Sequence, residues 1–208
     1  MIEWLKRAFS EPDRFSIPPG RHPLPECRFR EFNDADYDTC VAIYSLNEPG
    51  RFPAGYLDLF SKWLRSRSDL LLMCEVEGEV RGFGGIHMLK HPDGEVAGLS
   101  NGMIHPDSHK QGYGTALLLA RLATLPSPQL QWQVFLSTAG GSETFYRRFR
   151  FVPSQPFTDE RGTKFDLYRT RVYRPDWEAC RDALAAASVA MDTADAVVPM
   201  RQIPAPGG

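Results

Sequence analysis

The 208-residue chain lacks the features that would point to a membrane, secreted or nucleic-acid-binding protein. No apolar run approaches the roughly 20 residues that a membrane-spanning helix needs, and Glu3, Lys6 and Arg7 interrupt any signal-peptide core at the start. A net charge of −2 offers no basic surface to nucleic acid or to an anionic membrane. The four cysteines have no paired spacing, which indicates reduced thiols in a cytoplasmic protein.

What the chain does contain is enough apolar sequence for one domain with a full core, flanked by extensions. Hydrophobic residues make up 42% of it. We expect an amphipathic helix at residues 2–9 and a proline-rich connector, together covering residues 1–26. The domain proper should cover 27–173, and a C-terminal helix with a flexible tail 174–208. The alanine-rich helix should cover Asp176–Met191, and the chain should fray after Asp192, where apolar periodicity ends.

The most informative stretch runs from Met103 to Leu118. It has the pattern of a strand end, a short polar loop and a helix that begins at the glycines. Gly112 and Gly114 leave the backbone bare, so that a ligand can approach the amides. The first N–H groups of the helix have no partner within it, and the helix dipole favours negative charge there. A pyrophosphate has the required charge.

Two familiar phosphate-binding motifs do not match this stretch. A P-loop needs Lys-Ser/Thr after its second glycine, but Gly114 is followed by Thr115 and Ala116. The dinucleotide fingerprint needs a third small residue where Leu117 stands, and no acidic residue follows about twenty positions later. A glycine-rich turn without a ligand is the remaining structural alternative.

The stretch resembles the acetyl-CoA loop of the GNAT family of acyl-CoA N-acyltransferases. The family pattern is a hydrophobic residue, any residue, proline, and then Arg/Gln-x-x-Gly-x-Gly/Ala at the start of a helix. Ile104, Pro106, Gly112 and Gly114 match, and His109 stands where the family has Arg or Gln. The resemblance implies acetyl-CoA as acyl donor and cosubstrate, held mainly by backbone amides. It assigns this cofactor site to Met103, Ile104, His109, Lys110, Gln111, Gly112, Tyr113, Gly114 and Thr115.

A second stretch supports the same family. Residues 142–151 are similar to its Ala-x-x-Phe-Tyr-x-x-x-Gly-Phe motif, with Arg150 in place of glycine. The order of predicted elements from Cys27 to Tyr173, β-α-α-β-β-β-α-β-α-β-β, is also that of the GNAT fold. The expected class is therefore α/β (α+β), with a central mixed, mostly antiparallel sheet of about seven strands and four helices. The sheet should splay apart at the cofactor site.

One helix boundary is also predicted. Pro53 suits the first turn of the second helix of this order.

The resemblance places Tyr146 where the family has the general acid that protonates the leaving thiolate. A phenol keeps its proton at neutral pH, so it can donate one. Packing against the pantetheine arm is the alternative role for this side chain. A backbone N–H at the end of the strand Met103-Ile104 would polarise the thioester carbonyl, as the family implies.

The general base is the weak point of this assignment. Family members often carry a glutamate on one of the two strands beside the cofactor, but this chain has Gly98 and Val134 there. Glu75, His87 and Ser100, acting through water, are the remaining candidates. An amine that arrives already neutral and a water chain to bulk solvent are the alternatives.

A metal site and a cysteine nucleophile are disfavoured. His105, Asp107 and His109 alternate but lie inside the phosphate loop, without a fourth ligand nearby in the sequence. Cys74 follows an apolar run and has the pattern of a core residue.

The sequence thus predicts an N-acetyltransferase that acts on a primary amine of a small molecule or peptide. The alternative is a non-catalytic GNAT-fold protein that binds acyl-CoA as a sensor or scaffold. Arg51 is a candidate contact for an acceptor carboxylate, and a homodimer is an expected assembly.

Overall fold

The computed structural model describes residues 13–19, 23–48, 52–91, 94–193 and 196–202. The predicted helix at residues 2–9, Arg51 and the end of the chain lie outside these ranges. Ten strands are described: β1 (Arg28–Glu31), β2 (Leu70–Val76), β3 (Glu79–His91), β4 (Gly94–Ile104), β5 (Gln131–Thr138), β6 (Val152–Pro153), β7 (Phe157–Thr158), β8 (Lys164–Tyr173), β9 (Ala190–Asp192) and β10 (Met200–Gln202). The five α-helices are α1 (Tyr37–Asn47), α2 (Leu57–Ser66), α3 (Tyr113–Ala123), α4 (Glu143–Arg147) and α5 (Arg174–Ala186).

The strands form a mixed sheet in the order β6-β8-β5-β4-β3-β2-β1-β9, with β10 beside β3 and β7 beside β8. Only β4–β5, β1–β9 and β3–β10 are parallel pairs among the described strands. The predicted class, a mostly antiparallel mixed sheet with helices in the GNAT element order, is confirmed. The described residues hold more strands than expected, and the fifth helix, α5, is the predicted C-terminal helix.

The sheet separates two layers of core, because successive side chains of a strand point to opposite faces. In β2, Leu70 and Leu72 pack on the face covered by α3 and α5. Leu71 and Met73 pack on the other face, which α1 and α2 cover. Helix α3 is buried on nearly all sides, as its run of apolar residues predicts.

Strands β4 and β5 run parallel and then separate. Their pairing ends at Leu99 and Leu136, so residues 100–104 of β4 no longer have β5 as a neighbour. The register between β3 and β4 also shifts here, and Asn101 has a φ of 43°. These are the marks of a β-bulge, which bends a strand. The predicted splay in the sheet is therefore present, and the end of β4 faces a gap.

Two helix boundaries differ from the prediction. Pro53 lies four residues before α2, which begins at Leu57, so it belongs to the approach and not to the first turn. Helix α5 ends at Ala186 instead of Met191. Ser188 takes a positive φ of 54° just after it, and the chain then turns into β9. The helix propensity of alanine does not extend α5 to Met191, because residues 190–192 pair with β1 as strand β9.

The prediction that the chain frays after Asp192 is wrong for residues 196–202. Strand β9 pairs with β1, and β10 pairs with Met88–Lys90 of β3, beyond the point where β2 pairing stops. Val198 between them is 4% exposed. Residues before Cys27 also reach the sheet, since Phe15 is buried and its N–H donates to Arg171 O at 2.7 Å.

Candidate active site

A cavity of about 1390 Å³ opens where β4 and β5 separate. Its walls are the loop before α3, the ends of β4 and β5, helix α4, and on the other side α1 and the segment before α2. The predicted site residues that line it are Met103, Ile104, His109, Lys110, Gln111, Gly112, Gly114, Thr115 and Tyr146. Tyr113 instead packs against the core, where burial raises its pKa.

The loop before α3 presents free backbone amides to this cavity. The N–H groups of Thr115 and Ala116 donate to Gly112 O, at 2.9 and 3.0 Å, and close the first turn. Within the described residues, no acceptor bonds the N–H groups of residues 110–114. Free amides at the start of an 11-residue helix make an anion-binding position.

The two glycines of the loop have different structural roles. Gly112 has a φ of 95°, and a methyl group there would lie 2.8 Å from Pro25, so both the turn and the packing require glycine. A methyl group on Gly114 would lie 3.7 Å from Phe145, which is ordinary contact. The fold therefore tolerates a side chain at Gly114, but that side chain would occupy the cavity.

The alternating histidines of the loop serve its structure. The ring of His105 accepts a hydrogen bond from Asp107 N at 3.2 Å. The Nε2 atom of His109 lies 2.8 Å from Ile104 O. A carbonyl can only accept, so Nε2 must carry the proton. The described residues include no cluster of three or more potential metal ligands.

The backbone polar groups of Ile104 point toward the gap. Its carbonyl accepts from the side chains of His109 and Asn47, the latter at 3.1 Å, and not from β3. The neighbouring His105 N–H donates to Arg81 O of β3 at 2.7 Å. Because the N–H and C=O of one residue in an antiparallel strand point to the same edge, and successive residues alternate, the N–H of Ile104 also faces the gap. It is the donor that could polarise a carbonyl there.

Tyr146, on α4, lines the same gap. Its ring packs edge-on against Phe145, with centroids 5.0 Å apart, and against Phe151 at 5.5 Å. These contacts fix the ring and leave the phenol at the cavity. The guanidinium of Arg121 lies beside the phenol, and Tyr146 opposes the lowering of the pKa of Arg121 that burial causes.

Arg121 was not anticipated from the sequence. It is 2% exposed on the face of α3 that meets the sheet, and it lines the cavity. The available signal was one charged residue inside an apolar helix, four positions after the buried Leu117.

The three candidate bases do not line the cavity. The carboxylate of Glu75 accepts from Arg30 at 2.6 Å. The hydroxyl of Ser100 donates to Asp69, which also contacts His87 Nδ1 at 3.3 Å. Burial lowers the pKa of His87 to about 4, so the ring is neutral at pH 7 and a poor proton acceptor. These groups lie on the α2 side of the sheet, away from the described cavity wall, which contains no carboxylate.

The packing of His87 also explains why Gly98 stands at a position where the family often has glutamate. A methyl group on Gly98 would lie 2.4 Å from His87 Nε2. Glycine there makes room for the imidazole, so the position packs against His87 and carries no proton acceptor.

The side of the cavity formed by α1 and α2 is aromatic. Tyr44 stacks on Phe60, with centroids 4.4 Å apart, and its hydroxyl is buried without a partner among the described residues. Burial is the main cause that raises the pKa of Tyr44 to about 12. At the rim, Tyr56 donates to Asp159 of the turn before β8, which links the two borders of the opening.

Comparison with known proteins agrees with this geometry. The model of the acetyltransferase (GNAT) family matches residues 21–151, more than half of the chain. The chain belongs to the GNAT acetyltransferase family. No match to it was found among the curated proteins. As a member of this family it is an acyltransferase, and the family resemblance inferred from the loop and α4 is confirmed.

Several solved structures share the fold at low sequence identity. Ard1 from Thermoplasma volcanium is 19% identical with a TM-score of 0.53, over 69% of this chain and 96% of that one. The ribosomal-protein-S18-alanine N-acetyltransferase from Escherichia coli is 16% identical with a TM-score of 0.51, over 70% and 93%. N-acetylglutamate synthase from Neisseria gonorrhoeae, solved with coenzyme A and N-acetyl-glutamate, is 17% identical with a TM-score of 0.52, over 70% of this chain and 35% of that one. No helix among the described residues is long and apolar enough to cross a bilayer.

Proposed function

We propose that the protein transfers an acyl group from acyl-CoA to a primary amine of a small-molecule or peptide acceptor. Acetyl-CoA is the donor that the family implies. The observation that carries the proposal is one shared cavity. It brings together the free amides of residues 110–114, the N–H of Ile104 and the phenol of Tyr146.

Each part of this cavity has a chemical role. The amides at the start of α3 hold the pyrophosphate of coenzyme A. The amine nitrogen attacks the thioester carbonyl carbon, and the N–H of Ile104 stabilises the negative charge that develops on the carbonyl oxygen. As the carbon–sulfur bond breaks, the sulfur takes the proton of Tyr146. The proton lost by the amine returns through water to the phenolate, which leaves an amide and free coenzyme A.

The absence of a carboxylate from the described cavity wall limits how the amine can be deprotonated. Glu75, His87 and Ser100 are all held by other side chains outside the wall. The acceptor therefore binds as a neutral amine or loses its proton to water. An acceptor with a low amine pKa, such as an α-amine, suits this site better than a lysine side chain.

Tyr146→Phe tests the catalytic role. The variant loses the proton but little volume, so turnover should fall by roughly 10² to 10⁴, while the dissociation constant for acetyl-CoA stays nearly the same. Tyr37→Phe, on α1 and away from the cavity wall, is the matched control and should keep full turnover. Equal losses of binding and turnover in Tyr146→Phe would make it a packing residue.

A non-catalytic acyl-CoA sensor is the alternative to turnover at this site, and the lack of a carboxylate on the described cavity wall is the observation that favours it. Release of coenzyme A measured with a panel of amines, including α-amines and polyamines, separates the two. Tight acetyl-CoA binding without amine-dependent release from any acceptor would support the sensor.

Location and assembly stay predictions from the sequence. The four cysteines are free and buried, which supports a cytoplasmic protein. Light scattering of the purified chain tests the expected homodimer.

A further inference from the structure

Arg121 is a buried charge that the proposed reaction does not use. Its neighbours on α3 are apolar and buried, and Arg121 itself is 2% exposed. Its Nε–H donates to Leu117 O at a long 3.4 Å. Across the described part of the chain, no carboxylate forms an ion pair with it.

A guanidinium remains protonated inside a protein, so a buried one without an anion is costly. Burial does lower the pKa of Arg121, and Tyr146 is the neighbour that opposes this lowering. A neutral phenol supplies one hydrogen bond and no counter-charge. The positive charge of Arg121 therefore has no counter-charge among the described residues until an anion enters the cavity.

The sheet makes room for this side chain. A methyl group on Gly84 would lie 3.1 Å from the Nη1 atom of Arg121, and one on Gly102 would lie 2.9 Å from Nη2. Glycines on β3 and β4 thus form a shallow seat for the guanidinium. The seat lies at the bulge, where β4 leaves β5.

The position of the seat decides which anion can reach it. The Nη atoms of Arg121 lie over Gly84 and Gly102 of the sheet, whereas the free amides proposed to hold the phosphates lie in the loop before α3, so the arginine is outside the phosphate site. Gly102 lies two residues before Ile104, about 7 Å along a strand. An acyl group whose carbonyl meets the N–H of Ile104 would extend into the closed end of the gap, toward Arg121.

A four-carbon acyl group ending in a carboxylate has the required length. An extended four-carbon chain spans about 4 Å between its end carbons, and with a charge-assisted hydrogen bond of about 2.8 Å it matches the roughly 7 Å between Ile104 and Gly102. An acetyl group is too short and has no charge. A planar guanidinium also suits bidentate binding of a carboxylate.

We propose that Arg121 is a specificity residue that binds the terminal carboxylate of a dicarboxylic acyl-CoA, such as succinyl-CoA, and that this donor is preferred to acetyl-CoA. The inference rests on the proposed acyl-CoA function and names its donor class. The transfer itself is unchanged, because the carboxylate takes no part in bond making or breaking.

Calorimetric titration tests this without an acceptor. Butyryl-CoA and succinyl-CoA carry four-carbon acyl groups that differ in a terminal methyl or carboxylate. The wild-type protein should bind succinyl-CoA at least about tenfold more tightly, and Arg121→Met should abolish this ratio. Arg121→Lys should keep part of it, since the charge remains. Arg148→Met, which removes an exposed arginine of the cavity rim, should shift all donors alike and preserve the ratio.

Thermal unfolding gives a second measurement. Because Arg121 has no carboxylate partner among the described residues, ligand-free Arg121→Met should melt at or above the wild-type temperature. A clear loss of stability would show that the arginine is already satisfied within the fold, which overturns the inference.

The binding outcomes separate this inference from the proposed function. Equal affinity for butyryl- and succinyl-CoA, or a preference that survives Arg121→Met, overturns the inference while acyl-CoA binding stands. Failure to bind any of the donors overturns the proposed function. If Arg121→Met impairs turnover only with acceptors that carry a carboxylate, the arginine serves the acceptor and the donor assignment is wrong.

Discussion

Arg201 fastens β10 to the sheet, and replacing it with methionine tests how the C-terminal segment is held. Its guanidinium donates to Ser68 Oγ at 2.6 Å and to Ser68 O at 3.1 Å, and it forms an ion pair with Asp69. The Asp69 side chain is 2% exposed. Its other partners are the hydroxyl of Ser100 and the neutral ring of His87. Arg201→Met therefore leaves a buried carboxylate without a cation.

Removing one partner of a buried ion pair costs about 3–5 kcal/mol. Because Arg201 is 32% exposed, the lower end applies, and we expect a loss of about 3 kcal/mol in the free energy of unfolding. For a chain of this size that is a fall of roughly 6–12 °C in melting temperature. Urea unfolding followed by circular dichroism measures the first quantity, and a thermal scan the second.

Arg28→Met is the matched control. Arg28 pairs with Asp192 of β9, so it also joins the C-terminal segment to the sheet, but the two side chains are 58% and 43% exposed. An exposed pair contributes about 0–1 kcal/mol. If Arg201→Met costs no more than Arg28→Met, the buried pair does not form and β10 is not held in this way.

Gly114→Val should keep the melting temperature of the free protein but lose the stabilisation by acetyl-CoA, which is about 2.7 kcal/mol at a hundred times the dissociation constant; an unchanged shift would place the donor elsewhere. His109→Ala should weaken acetyl-CoA binding less, because its ring bonds Ile104 O and the amides make the cradle. Burial lowers the pKa of His87 to about 4 in the folded state, below about 6.5 when unfolded. As pH falls through this window only the unfolded chain takes up the proton, so the free energy of unfolding should fall, and less so in His87→Gln; equal slopes in urea titrations would refute the assignment. The rate with a given amine should rise with pH up to the pKa of that amine, and a plateau set by the enzyme well below it would reveal a base.

The local sequence was sufficient for the cofactor side of the site. The glycine spacing, Pro106 and the apolar run after Gly114 predicted the strand, loop and helix, because each depends on backbone freedom or on side-chain periodicity within a few residues. The order of elements then gave the fold. The same reasoning placed Tyr146 on a short helix after β5, where the structure has it.

The tertiary structure decided the parts that depend on distant neighbours. The segment after Asp192 has no periodicity of its own, yet β3 continues past the start of β2 and offers an unpaired edge to β10. His87 was a candidate base until its packing against Gly98 and Asp69 was seen.

For Arg121, the sequence gives the residue type and only the tertiary structure gives its role. Its charge was visible in the sequence, but its meaning depends on burial, on the two glycines of β3 and β4 beneath it, and on the absence of a carboxylate partner among the described residues. Local propensity depends on residues that are neighbours in the chain, so it can be predicted from the sequence. The electrostatic environment of a side chain is set by groups that only folding brings together.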